Sequence, residues 1–417
     1  MKIKIDFKKA LLLSGILIMA VIIGWLMYKM FMQKPEQLYL PTDLGQTDTS
    51  GLGFPSAGEG TGQIIDDLGI DRLEPDEFTG PVTQEQAIKL LQETAQRDNK
   101  IISLTEHWAI NASLSEDGSS VRYYNADDGK FYRIMPDGKA VELSDRKFHQ
   151  VQEVTWSPAQ DKAVLKYPDD TKIIYDFEAG KQVTLPKHWH EFDWAPAGDQ
   201  LIFKSIGLDP DNRWLAIVNS DGSGSHTIEK IGNNADKIIT SWSPNNQVIA
   251  MMTEGLDMDR KTVYFIGMHG ENFRSTITEG RGFVHKWSPQ GDKIVYSVYS
   301  SMNDYKPMLW RVDAQGDNIG ANRLPLELET WADKCVFSSN SELYCAVPRE
   351  LETGAGLFPN LGDRTSDDLY HIDLATGTKT YLSNAGYYNM TNLIITNDQK
   401  YLYFTDKITG RLHKIEL

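Results

Sequence analysis

Signatures of the common catalytic and nucleotide-binding sites are missing from this sequence. It has no G-x-S-x-G pentapeptide, the turn that presents the nucleophile of an α/β-hydrolase. It has no G-x-x-x-x-G-K-[ST] phosphate loop and no H-E-x-x-H zinc motif either. These absences argue against a hydrolase of that fold, a P-loop nucleotide hydrolase and a zincin metalloprotease.

Basic residues are also scarce. The chain has 42 Lys and Arg against 58 Asp and Glu, a net charge of −16. Six of the bases lie in residues 1–34, which leaves 36 bases and 57 acids in the remainder. Nucleic acids and anionic lipid surfaces both require basic protein surface. We therefore expect no nucleic-acid partner and no domain lying flat on anionic lipid.

Only one long hydrophobic run is present. Residues 10–28 carry no charge over 19 positions, which is enough to cross a bilayer as a helix. Four lysines precede the run and favour a cytoplasmic N-terminus. No small-residue cleavage site and no lipoprotein cysteine follows, so the run predicts an uncleaved signal anchor, with a cleaved signal peptide as the alternative. We expect a single-pass cell-membrane protein whose remainder is extracytoplasmic.

Composition divides the chain into four segments. Residues 1–34 hold the cytoplasmic N-terminus and the anchor. Residues 35–81 are rich in Gly, Ser, Thr, Asp and Pro and predict a flexible linker. Residues 82–99 predict one short helix, because Thr83 and Gln86 form a capping-box pattern. From residue 100 to 417 the pattern is that of β-strands.

A repeat organises this last segment. A tryptophan, a polar turn and an alternating apolar strand recur at intervals of 38 to 58 residues. The equivalent positions are Leu114, Trp156, Trp194, Trp242, Trp287, Phe337 and Ile395. Each unit predicts four strands, with a Gly-containing turn between the third and fourth that supplies positive φ. Four antiparallel strands in each period of this length indicate a blade of a β-propeller.

The two ends of the segment suggest how the ring closes. The seventh unit is one strand short at the C-terminus, and residues 100–108 resemble the fourth strands of other units. We therefore expect residues 101–105 to complete the last blade, which removes exposed sheet edges. The predicted fold is all-β, a seven-bladed propeller closed by an N-terminal strand and preceded by a transmembrane helix and a spacer.

The Trp-Ser-Pro and Trp-Ala-Pro units at 156, 194, 242 and 287 resemble the repeat of the TolB-type propellers. The resemblance covers about residues 100–417, and Leu114, Phe337 and Ile395 depart from it. The resemblance implies a β-propeller fold. Relatives bind proteins of the bacterial envelope or are accessory domains of peptidases, so the resemblance is specific for the fold and indicates little about the function beyond a bacterial origin.

Two side-chain pairs are candidate sites. His188 and His190 lie two residues apart, as on one face of a strand, and are candidates for a metal site; polar loop residues are the alternative, and we expect no cofactor. Cys335 and Cys345 are equidistant from Asn340, the centre of a predicted turn, which permits a disulfide in an exported protein. Two buried thiols are the alternative. The long loop at 348–368 exceeds what connectivity needs, which hints at function.

Acidic residues recur in the connections between second and third strands, which share one face of a propeller. We name this predicted surface the acidic rim: Asp127, Asp128, Asp169, Asp170, Asp209, Asp211, Asp257, Asp259, Asp304, Asp367 and Asp368. It predicts an envelope protein with a basic surface as partner, or bound divalent cations, or only a solvated surface.

The sequence therefore predicts a membrane-anchored, extracytoplasmic propeller that is a protein-binding scaffold of the bacterial cell envelope and not an enzyme. The alternative is a carbohydrate-binding protein or a metal-dependent enzyme that uses His-rich loops at the channel.

Overall fold

The structure is a computed structural model that describes Trp25 and residues 101–417, except residue 385. Apart from Trp25, the predicted anchor at 10–28 lies outside these described residues, as do the predicted linker at 35–81 and helix at 82–99. No helix in the described part of the chain has the length and hydropathy that a membrane span requires.

Residues 101–417 consist of β-strands joined by turns, loops and short 3-10 helices. In chain order the strands are β1 Ile101–Ser103, β2 Ala109–Leu114, β3 Val121–Asn125, β4 Lys130–Ile134, β5 Ala140–Glu142, β6 Glu153–Trp156, β7 Lys162–Lys166, β8 Lys172–Asp176, β9 Lys181–Leu185, β10 Trp189–Trp194, β11 Gln200–Ile206, β12 Arg213–Asn219, β13 His226–Lys230, β14 Ile238–Thr240, β15 Ala250–Gly255, β16 Lys261–Ile266, β17 Thr276–Thr278, β18 Arg281–Trp287, β19 Lys293–Tyr299, β20 Met308–Asp313, β21 Leu324–Pro325, β22 Cys335–Phe337, β23 Glu342–Pro348, β24 Asp367–Asp373, β25 Lys379–Asn384, β26 Met390–Ile395, β27 Tyr401–Asp406 and β28 Leu412–Glu416. The 3-10 helices are Pro210–Asn212, Gly232–Asn234, Ser301–Asn303, Gly316–Asn318, Ala332–Lys334 and Pro359–Arg364.

Within residues 101–417 these strands form seven four-stranded antiparallel sheets, the seven blades of a propeller. Blades 1 to 6 each use four consecutive strands, from β2–β5 to β22–β25. Blade 7 consists of β26, β27, β28 and β1, with Ile101 opposite Ile415. The predicted all-β, seven-bladed fold is therefore confirmed.

The repeat position that is tryptophan in four units is the last residue of the first strand in six of the seven blades. The exception is blade 4, in which β14 ends at Thr240, two residues before Trp242. Trp156 of blade 2 donates its indole N–H to the carbonyl of Asn111 in blade 1 at 2.7 Å. Trp194 of blade 3 likewise donates to the carbonyl of Thr155 in blade 2 at 2.9 Å. These tryptophans therefore join neighbouring blades, as core residues do.

Antiparallel order gives the ring two different faces. Connections between the first and second, and the third and fourth strands lie on one face, which we call the turn face. Connections between the second and third strands, and between blades, lie on the other, which we call the loop face. On the turn face, the Asn397 N–H of blade 7 donates to the Gly118 carbonyl of blade 1 at 2.8 Å. The first and last blades are therefore in contact there.

The disulfide predicted from the spacing is present in the structure. Cys335 of β22 lies opposite Cys345 of β23 in the sheet register, and the two sulfurs are bonded at 2.08 Å. Both residues are fully buried in the core that blade 6 shares with blade 5. The bridge braces the end of blade 6 that meets the loop face.

Candidate functional site

The loop face exposes large apolar side chains at the tips of its connections. Met258 is 87% exposed, Met302 is 95% exposed and Phe358 is 63% exposed, each in the loop between the second and third strands of its blade. We call the exposed apolar residues in the connections between second and third strands of blades 4 to 7 the apolar sector: Leu256, Met258, Met302, Leu357, Phe358 and Ile408. Leu208 of blade 3 is fully exposed beside them in the ring order.

Direct contacts hold the loops of the apolar sector together. The Ser301 hydroxyl of blade 5 donates to the Asp259 carboxylate of blade 4 at 2.6 Å. The Gly354 N–H of blade 6 donates to the Asp304 carbonyl of blade 5 at 2.8 Å. The Lys407 ammonium of blade 7 lies 2.5 Å from the Asp363 carboxylate in the blade 6 loop. The apolar sector therefore lies on a continuous, connected surface.

The turn face differs in composition. Its described connections carry Asp, Asn, Ser and Gly at their tips, and the exposed large apolar residue among them is the C-terminal Leu417. Apolar surface exposed in a connected patch marks an interaction site, whereas scattered single residues do not. Methionine is suited to such surfaces because its flexible thioether adapts to a partner.

The acidic rim lies on the same face as the apolar sector, but most of its carboxylates have a basic neighbour. The pairs within 4 Å are Asp169–Lys187, Asp170–Lys172, Asp211–Lys230, Asp257–Arg260, Asp259–Arg281 and Asp368–Arg349. Hydrogen bonds from Thr171 lower the pKa of Asp169 to about 2. Asp127, Asp128, Asp209 and Asp304 form no ion pair within the described chain. The rim is thus less negative than its acid count indicates.

The prediction that Asp367 belongs to the acidic rim is wrong, because its side chain is fully buried and is not part of the surface. Its carboxylate pairs with the Lys334 ammonium at 2.8 Å and accepts the Met390 N–H at 2.6 Å. Burial raises the pKa of Asp367, and the charge of Lys334 opposes that rise. It joins the first strand of blade 7 to the loop-face end of blade 6.

The long loop at 348–368 is ordered against blades 5 and 7. The Gly356 N–H donates to the Tyr305 carbonyl at 2.7 Å. The Asn389 amide donates to the carbonyl of Gly362 at 2.8 Å and to that of Thr365 at 3.1 Å. A Cβ at Gly362 would lie 2.7 Å from the Trp331 ring, so glycine allows this close approach. The loop is therefore a built part of the loop face.

A cavity of about 320 Å³ lies beneath this loop. Its lining residues come from blades 5, 6 and 7 and from the connection between blades 5 and 6: Gly282, Phe283, Val284, Trp331, Asp333, Lys334, Gly356, Pro359, Gly362, Asp363, Asn389, Thr391 and Lys407. Leu357 and Phe358 of the apolar sector lie in sequence between two of these lining residues. The cavity and the apolar sector therefore share a border.

The candidate histidines do not assemble a metal site in the described part of the chain, which contains no group of three His, Cys, Asp or Glu side chains placed to hold one. His190 lies on β10 in the wall of another cavity, and burial together with Lys172 lowers its pKa. His188 is exposed. Two other histidines form hydrogen bonds with neighbouring hydroxyls: His107 with Tyr123 at 3.0 Å and His285 with Ser241 at 2.7 Å.

Sequence reasoning identified the acids of this face and missed its apolar residues. Leu256 and Met258, in "EGLDMDR", follow a strand directly. In a strand-rich sequence, such apolar residues are easily assigned to that strand and not to the loop after it. A usable signal was present, since a large apolar residue occurs in the connection between second and third strands of every blade from 3 to 7.

No family model matches the chain, and no curated protein sequence matches it. Solved structures do match. The β-propeller domain of Cps50 (Swd1) from Myceliophteria thermophila has a TM-score of 0.50 at 11% identity, over 76% of this chain and 99% of that one. Its likeness shows the propeller fold alone.

Two enzymes are also similar in structure. An oligogalacturonate lyase in complex with manganese has a TM-score of 0.45 at 13% identity, over 76% of this chain and 93% of that one. The tricorn protease has a TM-score of 0.49 at 12% identity, over 76% of this chain but only 34% of the protease. Likeness at this level carries no statement about activity.

Proposed function

We propose that the chain is a membrane-anchored, extracytoplasmic propeller that serves as a non-enzymatic protein-binding module of a bacterial cell envelope, and that the loop face is its binding surface. The observation that carries the binding role is the concentration of exposed apolar side chains on one face of the ring. Met258, Met302 and Phe358 extend into solvent from loops that are bonded to one another.

The chemistry of this face defines the partner. The apolar sector requires an apolar contact surface, and acids without an ion pair, such as Asp127, Asp209 and Asp304, favour basic residues at its edge. Interfaces commonly combine an apolar centre with a charged rim that steers association. The partner is therefore a protein with an exposed apolar patch bordered by Lys or Arg.

The extracytoplasmic location rests on two supports. The uncharged run at 10–28 follows a lysine-rich terminus, which is the pattern of a signal anchor. The Cys335–Cys345 disulfide is a bond that persists in oxidising compartments. Protease added to intact spheroplasts should remove the propeller; full protection would overturn the location.

Site-specific photo-crosslinking tests the binding surface. A photoreactive amino acid at Met302 or Phe358 should crosslink one partner in intact cells, whereas the same group at the exposed Glu178 of the turn face should not. The identified partner is then purified. The double variant Met302→Gln/Phe358→Gln should bind it at least about tenfold more weakly, and Glu178→Gln should bind it as the parent does. Equal crosslinking from both faces would overturn the proposal.

A further inference from the structure

The cavity beneath the 348–368 loop has an unusual balance of charge. It is bordered by the apolar sector, and its lining includes two lysines and two aspartates. Three of these four groups are compensated within the protein. The Lys334 ammonium pairs with the buried Asp367 carboxylate at 2.8 Å and with the Asn389 amide oxygen at 3.0 Å. Lys407 pairs with Asp363 at 2.5 Å.

Asp333 is the one of these four lining charges that has no ion pair within the described residues. Its side chain is exposed to the cavity, and no described residue forms a hydrogen bond or an ion pair with its carboxylate. Lys286 of β18 is the cation on which its charge acts, but the two form no ion pair. Burial lowers the pKa of Lys286, and the charge of Asp333 opposes that shift. An unpaired carboxylate in a cavity favours a cation from outside.

The walls add a second feature that favours a cation. Trp331 and Phe283 line the cavity beside Asp333. Aromatic faces attract cations, and a planar guanidinium stacks on them while it also donates hydrogen bonds to a carboxylate. Gly282, Gly356 and Gly362 also line the cavity, and Gly362 lies close against the Trp331 ring. A volume of about 320 Å³ is at the lower end of the range for ligand pockets, about 300–1,000 Å³.

We propose that this cavity is an anchor pocket for a cationic side chain, arginine above lysine, which the protein bound to the apolar sector inserts between Trp331 and Asp333. The inference rests on the proposed function, since it names the side chain by which that partner is recognised. Arginine is among the residues that dominate protein interfaces when they enter a desolvated pocket surrounded by apolar contacts. Here Leu357 and Phe358 supply that surround.

A small probe tests the pocket without the partner. The full chain in detergent micelles is titrated with Nα-acetyl-arginine amide, with its neutral isostere Nα-acetyl-citrulline amide, and with the lysine and glutamate analogues, followed by saturation-transfer NMR. We expect the arginine probe to bind most tightly, the lysine probe less tightly, and the other two at least about tenfold more weakly. Asp333→Asn should weaken arginine binding about tenfold. Asp317→Asn, on the turn face, should leave it unchanged.

Three outcomes would overturn the pocket: equal binding of citrulline, binding of the glutamate probe that depends on Asp333, or unchanged arginine binding in Asp333→Asn. Equal binding of lysine and arginine would overturn the stacking on Trp331.

The purified partner separates failure of this inference from failure of the proposed function. If Met302→Gln/Phe358→Gln releases the partner and Asp333→Asn does not, the function stands and the anchor pocket fails. If the arginine probe binds through Asp333 but no partner crosslinks to the apolar sector, the proposed function fails instead.

Discussion

The two faces of this propeller are made from the same four-stranded unit, yet they differ in what their connections do. On the turn face, side chains organise the turns themselves: hydrogen bonds from Ser223 lower the pKa of the exposed Asp221, and the Ser120 N–H donates to Asp117 at 2.8 Å. On the loop face, Met258, Met302 and Phe358 contribute no such local bond and extend into solvent.

The difference teaches where to search for function in a repeated fold. A short turn needs its polar side chains to hold the backbone, so those residues are explained by structure alone. A longer connection has positions that its backbone does not need, and these are free to meet a partner. The same residue type, Asp, is therefore weak evidence for function on one face, while an exposed Met or Phe on the other is stronger evidence.

The largest expected effect comes from opening the ring on which both faces depend. Deleting residues 99–106 removes β1, whose Ile101 is buried beside β28, and leaves β28 as an exposed sheet edge. We expect a loss of cooperative unfolding or a large fall in melting temperature. Deleting residues 40–75, within the proposed linker, should change little. Equal melting temperatures for the two truncations would show that β1 does not complete blade 7.

A pair of lysine variants compares a buried ion pair of the loop face with an exposed one. Lys334→Met leaves Asp367 as a buried carboxylate without its counter-ion, which costs about 3–5 kcal/mol. Lys407→Met breaks the half-exposed pair with Asp363, which should cost below about 1 kcal/mol. Urea denaturation measures both. Similar losses would mean that the Lys334–Asp367 pair does not hold the loop-face end of blade 6.

The disulfide gives a smaller effect at the same end of blade 6. Replacing Cys335 and Cys345 together by alanine removes a cross-link of sequence separation 10. We expect a loss of about 2–3 kcal/mol of stability, because the closed loop is short. Two free thiols in denatured, unreduced protein from an oxidising compartment would contradict the bond.

A histidine between the two faces should make stability depend on pH. Burial, with a contribution from Arg411, lowers the pKa of His413 to about 4, against about 6.5 for an exposed imidazole. The unfolded chain then binds the extra proton between about pH 6.5 and 4, so stability falls as pH falls through this window. His413 lies beside the rings of Tyr388 and Phe404, so phenylalanine suits the site. Between about pH 7 and 5, the free energy of unfolding should fall by about 2 kcal/mol less in His413→Phe than in the parent.

The control is His188→Asn, an exposed histidine, which should keep the parent's pH dependence. If His413→Phe loses as much stability on acidification as the parent does, His413 is not the group that titrates.

The sequence was sufficient for the blades because their signals are local. A glycine turn, an alternating strand and a terminal tryptophan each report on a few neighbouring residues, and seven copies fix the ring. Blade 4 departs from the pattern for a non-local reason: the Trp242 N–H donates to the Asp193 carboxylate of blade 3 at 2.7 Å. Its indole donates to Asn246 in its own turn, not to the blade before.

The candidate site was less accessible from the sequence because its parts meet only in the folded ring. Asp333 and Trp331 are far along the chain from Gly282, and the loop above them is ordered by backbone bonds from Gly354 and Gly356 to blade 5. Nothing in the loop's own composition predicts those bonds. Burial of Asp367 has the same origin, since Lys334 lies in the connection between blades 5 and 6 and Met390 begins β26 of blade 7.

The smallest effect on stability, and the sharpest test of the two faces, comes from paired charge variants. One variant replaces four loop-face acids by Asn: Asp209, Asp211, Asp257 and Asp259. The other replaces four turn-face acids by Asn: Asp137, Asp221, Asp317 and Asp398. Both quadruple variants lose four negative charges, and neither set is buried. We expect both to melt close to the parent, because exposed pairs such as Asp211–Lys230 contribute little.

Binding of the purified partner should then distinguish them. Steering acts over about 8–10 Å at moderate salt, so charges at the docking face accelerate association and distant ones do so weakly. The loop-face variant should associate more slowly than the turn-face variant at low salt, and the difference should disappear as salt is raised. Equal association rates would mean that the acidic rim contributes only net charge. Recognition on this face would then depend on the apolar sector and on the cavity beside it.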